Sequence, residues 1–302
     1  MTEHKYHIPV LHREVIDGLN IRANGIYVDC TFGGGGHAKS ILEKLDANGK
    51  LIAFDQDEEA IKNVPNDPRI IFIPQNFRYL QRFLRLHNII EVDGVLADLG
   101  VSSHQFDKAE RGFSTRFDAD LDMRMDQRQT LTAFDVVATY SEAQLHKMFE
   151  QYGEVTNAKT LARTIVQTRS ITKLKTVESF KSSLRSVVKG NPKRYFAQVF
   201  QAIRIEVNDE IGALKELLQQ VPGLLKSGGR VAFITFHSLE DRMVKIFFRR
   251  ESFEEVEENP FEMIQNSKQI KVITKKPIEA SEKEMSENSR SRSAKLRIAE
   301  KI

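Results

Sequence analysis

The chain has 302 residues, a formal net charge of +3 from 45 Lys+Arg against 42 Asp+Glu, one cysteine and no tryptophan. At 40% hydrophobic and 29% charged it has ample apolar material for a packed core, which excludes disorder as the overall state; its length suits about two domains, or one with a large insertion. A single cysteine excludes an internal disulfide framework and a Cys-rich zinc site, and with them a secreted disulfide scaffold and a zinc-dependent base deaminase.

The N-terminus, Met1-Thr2-Glu3-His4-Lys5-Tyr6-His7, has neither a signal-peptide core nor transit-peptide character. No window reaches the ~18 apolar residues of a membrane span, so the expectation is a cytoplasmic enzyme or binding protein. Ile26-Tyr27-Val28 reads as a short buried strand, followed by glycines and a helix with Ala38, Ile41, Leu42 and Leu45 on one face. Leu51-Ile52-Ala53-Phe54 is a second strand ending at Asp55. A helix over about 57 to 64 stops before Pro65, Ile70-Ile71-Phe72-Ile73 gives a third strand, and Phe77, Leu80, Phe83 and Leu84 a further helical face. Val92 to Leu99 supplies a fourth strand. Strands separated by helical patterns are the signature of βαβ units and a parallel α/β sheet.

After Gly100 that rhythm breaks for about a hundred residues without a convincing buried strand. Ser141-Glu142-Ala143-Gln144 has the capping-box pattern of a helix start, and the segment reads as an inserted α-helical domain. The α/β rhythm resumes with Asn208 as the expected N-cap of a helix carrying Ile211, Leu214, Leu218 and Val221. Gly228-Gly229 turns into a fifth strand from Arg230 to Phe236. Residues 251 to 262 hold six glutamates and no basic residue, the pattern of a solvated connection. Gln269 to Thr274 and Lys295 to Ala299 alternate like an antiparallel edge pair.

Gly33-Gly34-Gly35-Gly36-His37 occupies a strand-to-helix turn, where missing Cβ atoms let a ligand approach the backbone; a tight turn alone is the competing reading. Asp55 ends the second strand, where a carboxylate can accept both hydroxyls of a ribose, and Asp98 ends the fourth. Gly33-x-Gly35-x-x-Ala38 also fits a dinucleotide fingerprint. Asp29 argues against NAD, because a carboxylate at the mouth of the turn suits a cationic ligand such as S-adenosylmethionine better than a pyrophosphate.

Seven further stretches occur in order: His7-Ile8-Pro9-Val10-Leu11, Asp98-Leu99-Gly100-Val101-Ser102-Ser103-x-Gln105, Glu110-Arg111-Gly112-Phe113-Ser114, Leu121-Asp122-Met123-Arg124-Met125, Phe200-Gln201-Ala202-x-Arg204-Ile205-x-Val207-Asn208, Phe236-His237-Ser238-Leu239-Glu240-Asp241-Arg242 and Arg290-x-Arg292-Ser293-x-Lys295-Leu296-Arg297. With the glycine turn, they make the chain closely resemble the bacterial ribosomal RNA small-subunit methyltransferase H family, over nearly its whole length. The resemblance implies a class I, Rossmann-like methyltransferase core (1–103 and 208–302) with an inserted α-helical RNA-recognition domain (104–207). It implies S-adenosyl-L-methionine as cofactor, no metal, and N4 of a cytidine in the decoding region as target, in small-subunit ribosomal RNA within an assembled or nearly assembled subunit. Carried over by position, the donor contacts are Gly35, Gly36, His37, Asp55, Phe77, Asp98 and Gln105. The family commonly has an arginine where this chain has Gly34.

Methylating cytosine at C5 generally needs a cysteine; here only Cys30 exists, after the first strand, which favours direct transfer to an amine. Asp98, in the place of the usual amino-methyltransferase motif, is the expected catalytic acceptor for N4, with a strand-end turn carboxylate as its other reading. Ser102, Ser103, His237 and Arg194 are the expected substrate contacts. Ser238 and Asp241 fit an N-cap and its N3 partner. From Lys159 to Arg194 ten Lys/Arg stand against one acid, Glu178, a surface suited to RNA phosphates; Tyr195 and Phe196 either stack on a base or are buried. A DNA amino-methyltransferase and a non-catalytic RNA- or NAD-binding protein are the rival readings.

Overall fold

A computed structural model describes residues 9–253 and 268–302. The first two residues of the His7–Leu11 motif and all but the first three of the acidic stretch 251–262 lie outside the described residues. The chain separates into two compact units, Met1–Gly100 with Gly212–Ile302, and Val101–Ile211. Among the described residues no helix is long and apolar enough to cross a membrane.

The first unit is built on one sheet. Its strands are β1 (Ile26–Asp29), β2 (Lys50–Phe54), β3 (Ile70–Ile73), β4 (Val92–Asp98), β5 (Leu225–Thr235), β6 (Ile270–Val272), β7 (Ile278–Glu279) and β8 (Lys295–Lys301). The order is β3-β2-β1-β4-β5-β8-β6, with β7 also paired to β8. Strands β1 to β5 run parallel, and β8 is antiparallel to both β5 and β6. This is the class I methyltransferase sheet.

The helices, in chain order, are α1 (His12–Leu19), α2 (Gly36–Lys44), α3 (Leu80–Leu86), α4 (Ser103–Asp107), α5 (Ala133–Thr139), α6 (Glu142–Gly153), α7 (Ala158–Arg169), α8 (Val177–Leu184), α9 (Pro192–Asn208), α10 (Glu210–Leu224), α11 (Ser238–Arg250) and α12 (Glu282–Glu287). Both faces of the sheet are covered, as the near-continuous apolar strands require. Val28, Ile52, Val95, Val231 and Phe233 pack with Leu214, Leu218 and Phe247 of α10 and α11. Their sequence neighbours Tyr27, Leu51, Leu96, Ala232 and Ile234 point the other way, onto Val15, Leu19 and Ile41 of α1 and α2.

The structure differs from the sequence expectation at three places. Residues 57–64 form a short 3-10 segment, Glu58–Asn63, and Phe77–Tyr79 is a 3-10 turn leading into α3. Gly228-Gly229 does not precede β5 but lies within it, where the register to β4 slips between Val92 and Gly94. Glu251, read as solvated, closes α11 in left-handed backbone (φ 55°) and its carboxylate accepts the N–H groups of Gln269 and Ile270. By contrast, the antiparallel edge pair matches the expectation: β6 and β8 pair at the end of the sheet, β6 outermost and β8 joining it to β5.

Asn208 is also corrected. It is the last residue of α9, whose C-cap is Asp209 at φ 46°. The buried Asn208 amide accepts the N–H of Met125 (2.7 Å) and donates to the carbonyls of Met123 and Arg204 (both 2.8 Å), holding the 123–125 loop. An amide that satisfies three buried backbone groups is worth more there than at a helix start.

The second unit is helical, around Val136, Phe149, Leu161, Ile165, Phe180, Val199 and Phe200. Side chains set its helix starts: Thr132 with Asp135, Ser141 with Gln144 and Thr176 with Ser179 form capping boxes, and Asn191 precedes Pro192 at the start of α9.

Candidate functional site

Strands β1 and β4 are neighbours whose following strands run outward in opposite directions. A crevice opens beyond the carboxyl ends of strands at such a switch point. Asp29 ends β1 and Asp98 ends β4. Thr31 ties them together: its N–H donates to Asp29 Oδ1 (3.1 Å), and its Oγ1 accepts the Asp98 N–H (2.7 Å).

The glycine turn follows. Gly35 N–H donates to the Phe32 carbonyl at 2.8 Å, and Gly33 and Gly35 have φ of 52° and 75°. A Cβ on Gly35 would also lie 2.9 Å from the Phe32 ring, whereas one on Gly34 meets nothing within 4 Å. The turn therefore needs glycine at 35 and tolerates a side chain at 34. Gly36 starts α2, packed closely against Pro9.

Asp55, just past β2, braces this turn. Its two oxygens accept N–H groups from Gly33 (2.7 Å) and Asp57 (2.8 Å), and a carboxylate oxygen has capacity for a second donor. Phe77 is half-buried, packed against the core that contains Phe54 and Leu80.

His37 lies in the first turn of α2, with Nε2 3.7 Å from Asp98 Oδ2. Its ring stacks on His12 at 6.0 Å between centroids. Burial, with a smaller push from His12, lowers its pKa to about 3, so the imidazole is neutral at pH 7. Neither ring nitrogen, nor Asp98 Oδ1, has a well-formed hydrogen bond among the described residues.

Two acids here have pKa values raised well above the carboxylate range. Asp98 is raised to about 8, by desolvation first and then by Asp29 and Glu240. Asp29 is raised to about 7, chiefly by desolvation, with Asp55 adding to it against the hydrogen bonds of Thr31. Asp98 still exposes 26% of its side chain, so a ligand can reach it. Asp93, on the same strand, shows what a paired carboxylate does: desolvation opposes ionisation, but Lys226 at 2.7 Å and the Ile26 N–H hold its pKa low.

Glu240, which sequence reasoning did not single out as a site residue, is buried and accepts the Phe236 N–H at 2.9 Å. His237, not Ser238, is the N-cap of α11: its side chain accepts the Glu240 N–H, and its Nε2 lies 3.1 Å from Glu240 Oε1. The His237-x-x-Glu240 spacing carried this signal, because a glutamate at N3 reaches back over the helix start. Asp241 pairs instead with Arg297, at 2.7 and 3.0 Å.

Asp29, Gly35, Gly36, His37, Asp55, Asp98 and His237 all belong to the first unit, with Asp98 and His37 in direct apposition. Ser102, Ser103, Gln105 and Arg194 belong to the second. Ser102 and Gln105 close a capping box on α4 (3.1 and 3.2 Å), which Ser103 begins. Arg194 is exposed in the first turn of α9. Of the ten basic residues, Arg169 serves the Val137 and Tyr140 carbonyls, Lys181 and Arg185 pair with Glu178, and Arg163 with Glu142. Lys159, Lys173, Lys175, Lys189, Lys193 and Arg194 are exposed. Tyr195 and Phe196 are buried, edge to face at 5.9 Å, and are not base-stacking platforms.

These features fit a cationic methyl donor. A buried, unpartnered carboxylate oxygen beside a second acid of raised pKa is stabilised by a positive ligand, and the glycine turn leaves its backbone accessible. Comparison with known proteins agrees. A family model described as the MraW methylase family matches residues 4–302. A protein named ribosomal RNA small subunit methyltransferase H from Azobacteroides pseudotrichonymphae genomovar. CFP2 is 54% identical over 298 residues, 98% of each chain. Proteins of the same name from Flavobacterium johnsoniae (52% over 302 residues; 100% of this chain, 99% of the relative) and Bacteroides thetaiotaomicron (50% over 298; 98% and 97%) are similar throughout.

Proposed function

The chain belongs to the MraW methylase family, and from that premise we propose that it methylates the exocyclic N4 of a cytidine in the decoding region of small-subunit ribosomal RNA. Its methyl donor is S-adenosyl-L-methionine, which supplies a methyl group on a sulfonium centre open to displacement by a nitrogen lone pair.

The observation that carries the reading is Asp98: a reachable carboxyl at the end of β4, with Oδ1 unpartnered among the described residues and its pKa near 8. Such a group accepts an N–H from the amine, orients the lone pair that the cytosine ring otherwise delocalises, and takes up the proton as nitrogen gains carbon. Asp98 and Asp29 ionise as a cation docks beside them, so the acceptor becomes competent only with the donor in place. His37, neutral and packed on His12, supports Asp98 without competing for the cation. Cys30 is buried, and burial raises its thiol pKa, which argues against a thiolate adding to a cytosine ring. The names of the curated relatives support ribosomal RNA as the substrate, and the exposed cations of the helical unit support its role in holding RNA.

The test offers labelled methyl donor to assembled small subunits, free ribosomal RNA and duplex DNA, followed by nucleoside analysis. Label on cytidine N4 is expected, best with assembled or nearly assembled subunits. Label at C5, on a ribose hydroxyl, or preferentially in DNA would defeat the reading.

A further inference from the structure

A second cationic feature lies on the first unit, lined by the later turns of α11 with β6 and β8, at residues other than those of the site at the ends of β1 and β4. A cleft of about 190 Å³ is lined by Lys245 and Arg249 of α11, Lys275 just after β6, and Arg297 of β8, with Phe248 and Val272 as apolar lining. Among the described residues no acidic side chain lines it. Lys245 and Arg249 lie one helical turn apart on the same face. Arg297 is nearly buried and fixed by its fork to Asp241 (2.7 and 3.0 Å). Lys245, Arg249 and Lys275 are exposed and form no ion pair among the described residues.

Lysines beside an edge strand such as β6 discourage edge-to-edge pairing, which accounts for Lys275. It does not account for Lys245 and Arg249, which sit on a helix and face the same space. Lys245, Arg249 and Lys275, which have no carboxylate partner among the described residues, repel one another, and an anion relieves that repulsion. The volume is below the ~300–1,000 Å³ of pockets that enclose drug-sized ligands, so the cleft suits one phosphate group and not a whole nucleotide. Arg297 commits Nε and Nη2 to Asp241, so Lys245, Arg249 and Lys275 are the cations left to meet a phosphate.

We propose that this cleft binds a phosphodiester group of the RNA substrate, giving the methyltransferase core its own RNA anchor in addition to the basic helical unit. The proposal rests on the RNA-methylating reading above and adds an anchoring point to it. The test compares the full chain with a Lys245→Gln, Arg249→Gln, Lys275→Gln variant, using as control Lys50→Gln, Arg82→Gln, Arg85→Gln, which removes equal charge from exposed positions elsewhere on the same unit. Binding of small-subunit ribosomal RNA is measured from 50 to 300 mM salt, and methyl-donor binding is measured alongside as a check on the fold.

The cleft variant is expected to bind RNA about tenfold more weakly, with a salt slope shallower by about 0.7–0.9 for each phosphate that the variant no longer neutralises. Methyl-donor affinity and kcat at saturating RNA stay unchanged, and the control variant tracks the wild type. RNA affinity and slope equal to wild type in the cleft variant, or an equal loss in the control, overturns the proposal. If instead the unmodified protein neither binds nor methylates the RNA, the functional reading fails, a result distinct from failure of the cleft alone. Weakened binding of polyglutamate without weakened RNA binding assigns the cleft to an acidic protein partner and overturns the proposal.

Discussion

Asp98 Oδ2 faces His37 Nε2 at 3.7 Å, a carboxyl held protonated against an imidazole held neutral. Two groups that would form an ion pair in water form none here, because burial penalises both charges. Charge at this point of the sheet is left for a ligand to supply.

Asp98→Asn is expected to lower kcat/KM by at least ~10²-fold, the lower range for loss of a positioned proton acceptor. The same change is expected to stabilise the ligand-free protein at high pH. Asp98 has a folded pKa above its unfolded value, so its contribution is fully present below about pH 4 and is lost as pH rises through about 8. The stability gap between variant and wild type therefore opens between pH 4.5 and 8.5. With solvent screening of a partly exposed group it reaches about 1–2 kcal/mol, readable by denaturant unfolding at the two pH values.

Donor binding is expected to release protons. With pKa values of about 8 and about 7, Asp98 is mostly and Asp29 about half protonated at pH 7 without ligand, and both ionise beside a sulfonium. Affinity for S-adenosylmethionine should rise between pH 6 and 8.5, by up to about tenfold per pH unit for each proton released. The uncharged thioether product should show a much flatter profile. Calorimetry in buffers of different ionisation enthalpy measures the proton count directly. Equal pH profiles for donor and product would remove the electrostatic basis proposed for the site.

The glycines of the turn are expected to separate sharply. Gly34→Ala should leave donor affinity and stability near wild type, because its Cβ enters open space. Gly35→Ala meets both a φ of 75° and the Phe32 ring, and is expected to cost about 1–3 kcal/mol in stability with a loss of donor binding. Thermal unfolding and donor titration of the two variants make the comparison.

Asn208→Ala removes an amide that serves Met123, Met125 and Arg204. A cost of about 2–3 kcal/mol is expected from the buried backbone groups left unpaired. Because the residue lies in the helical unit, hydrogen exchange should show faster opening of the 123–125 loop and the end of α9, while donor affinity is retained. Uniform exchange change across the chain would contradict this local role.

The parallel half of the sheet was legible because β1, β2, β3 and β4 are apolar runs broken by glycine, aspartate and proline, and local composition settles such strands. The helical unit was legible through its capping boxes, as at Ser141 and Gln144. What was missed depended on distant partners. Asn208 has the composition of an N-cap, and only the 123–125 loop, more than eighty residues away, makes it a buried clamp. Which member of the antiparallel edge pair abuts β5 could not be read locally, because an alternating strand looks the same in either place. At the site, Asp29 and Asp98 announced themselves by ending strands, whereas Glu240 looked like an ordinary first-turn glutamate. Its influence on Asp98 arises only where the loop after β5 returns to the end of β4.

The position of β8 also governs when this sheet can be completed. Strands β6 and β7 precede β8 in the chain, yet among the described residues β8 is the only strand with which either pairs, and β5 finds its second neighbour there. During synthesis, β1 to β5 can assemble as a partial sheet with β5 as an open border, while two later strands wait unpaired for a segment not yet made. A ribosome paused before Lys295 would leave β5 as a border open to another strand, so the interval before β8 arrives exposes the sheet to edge-to-edge association.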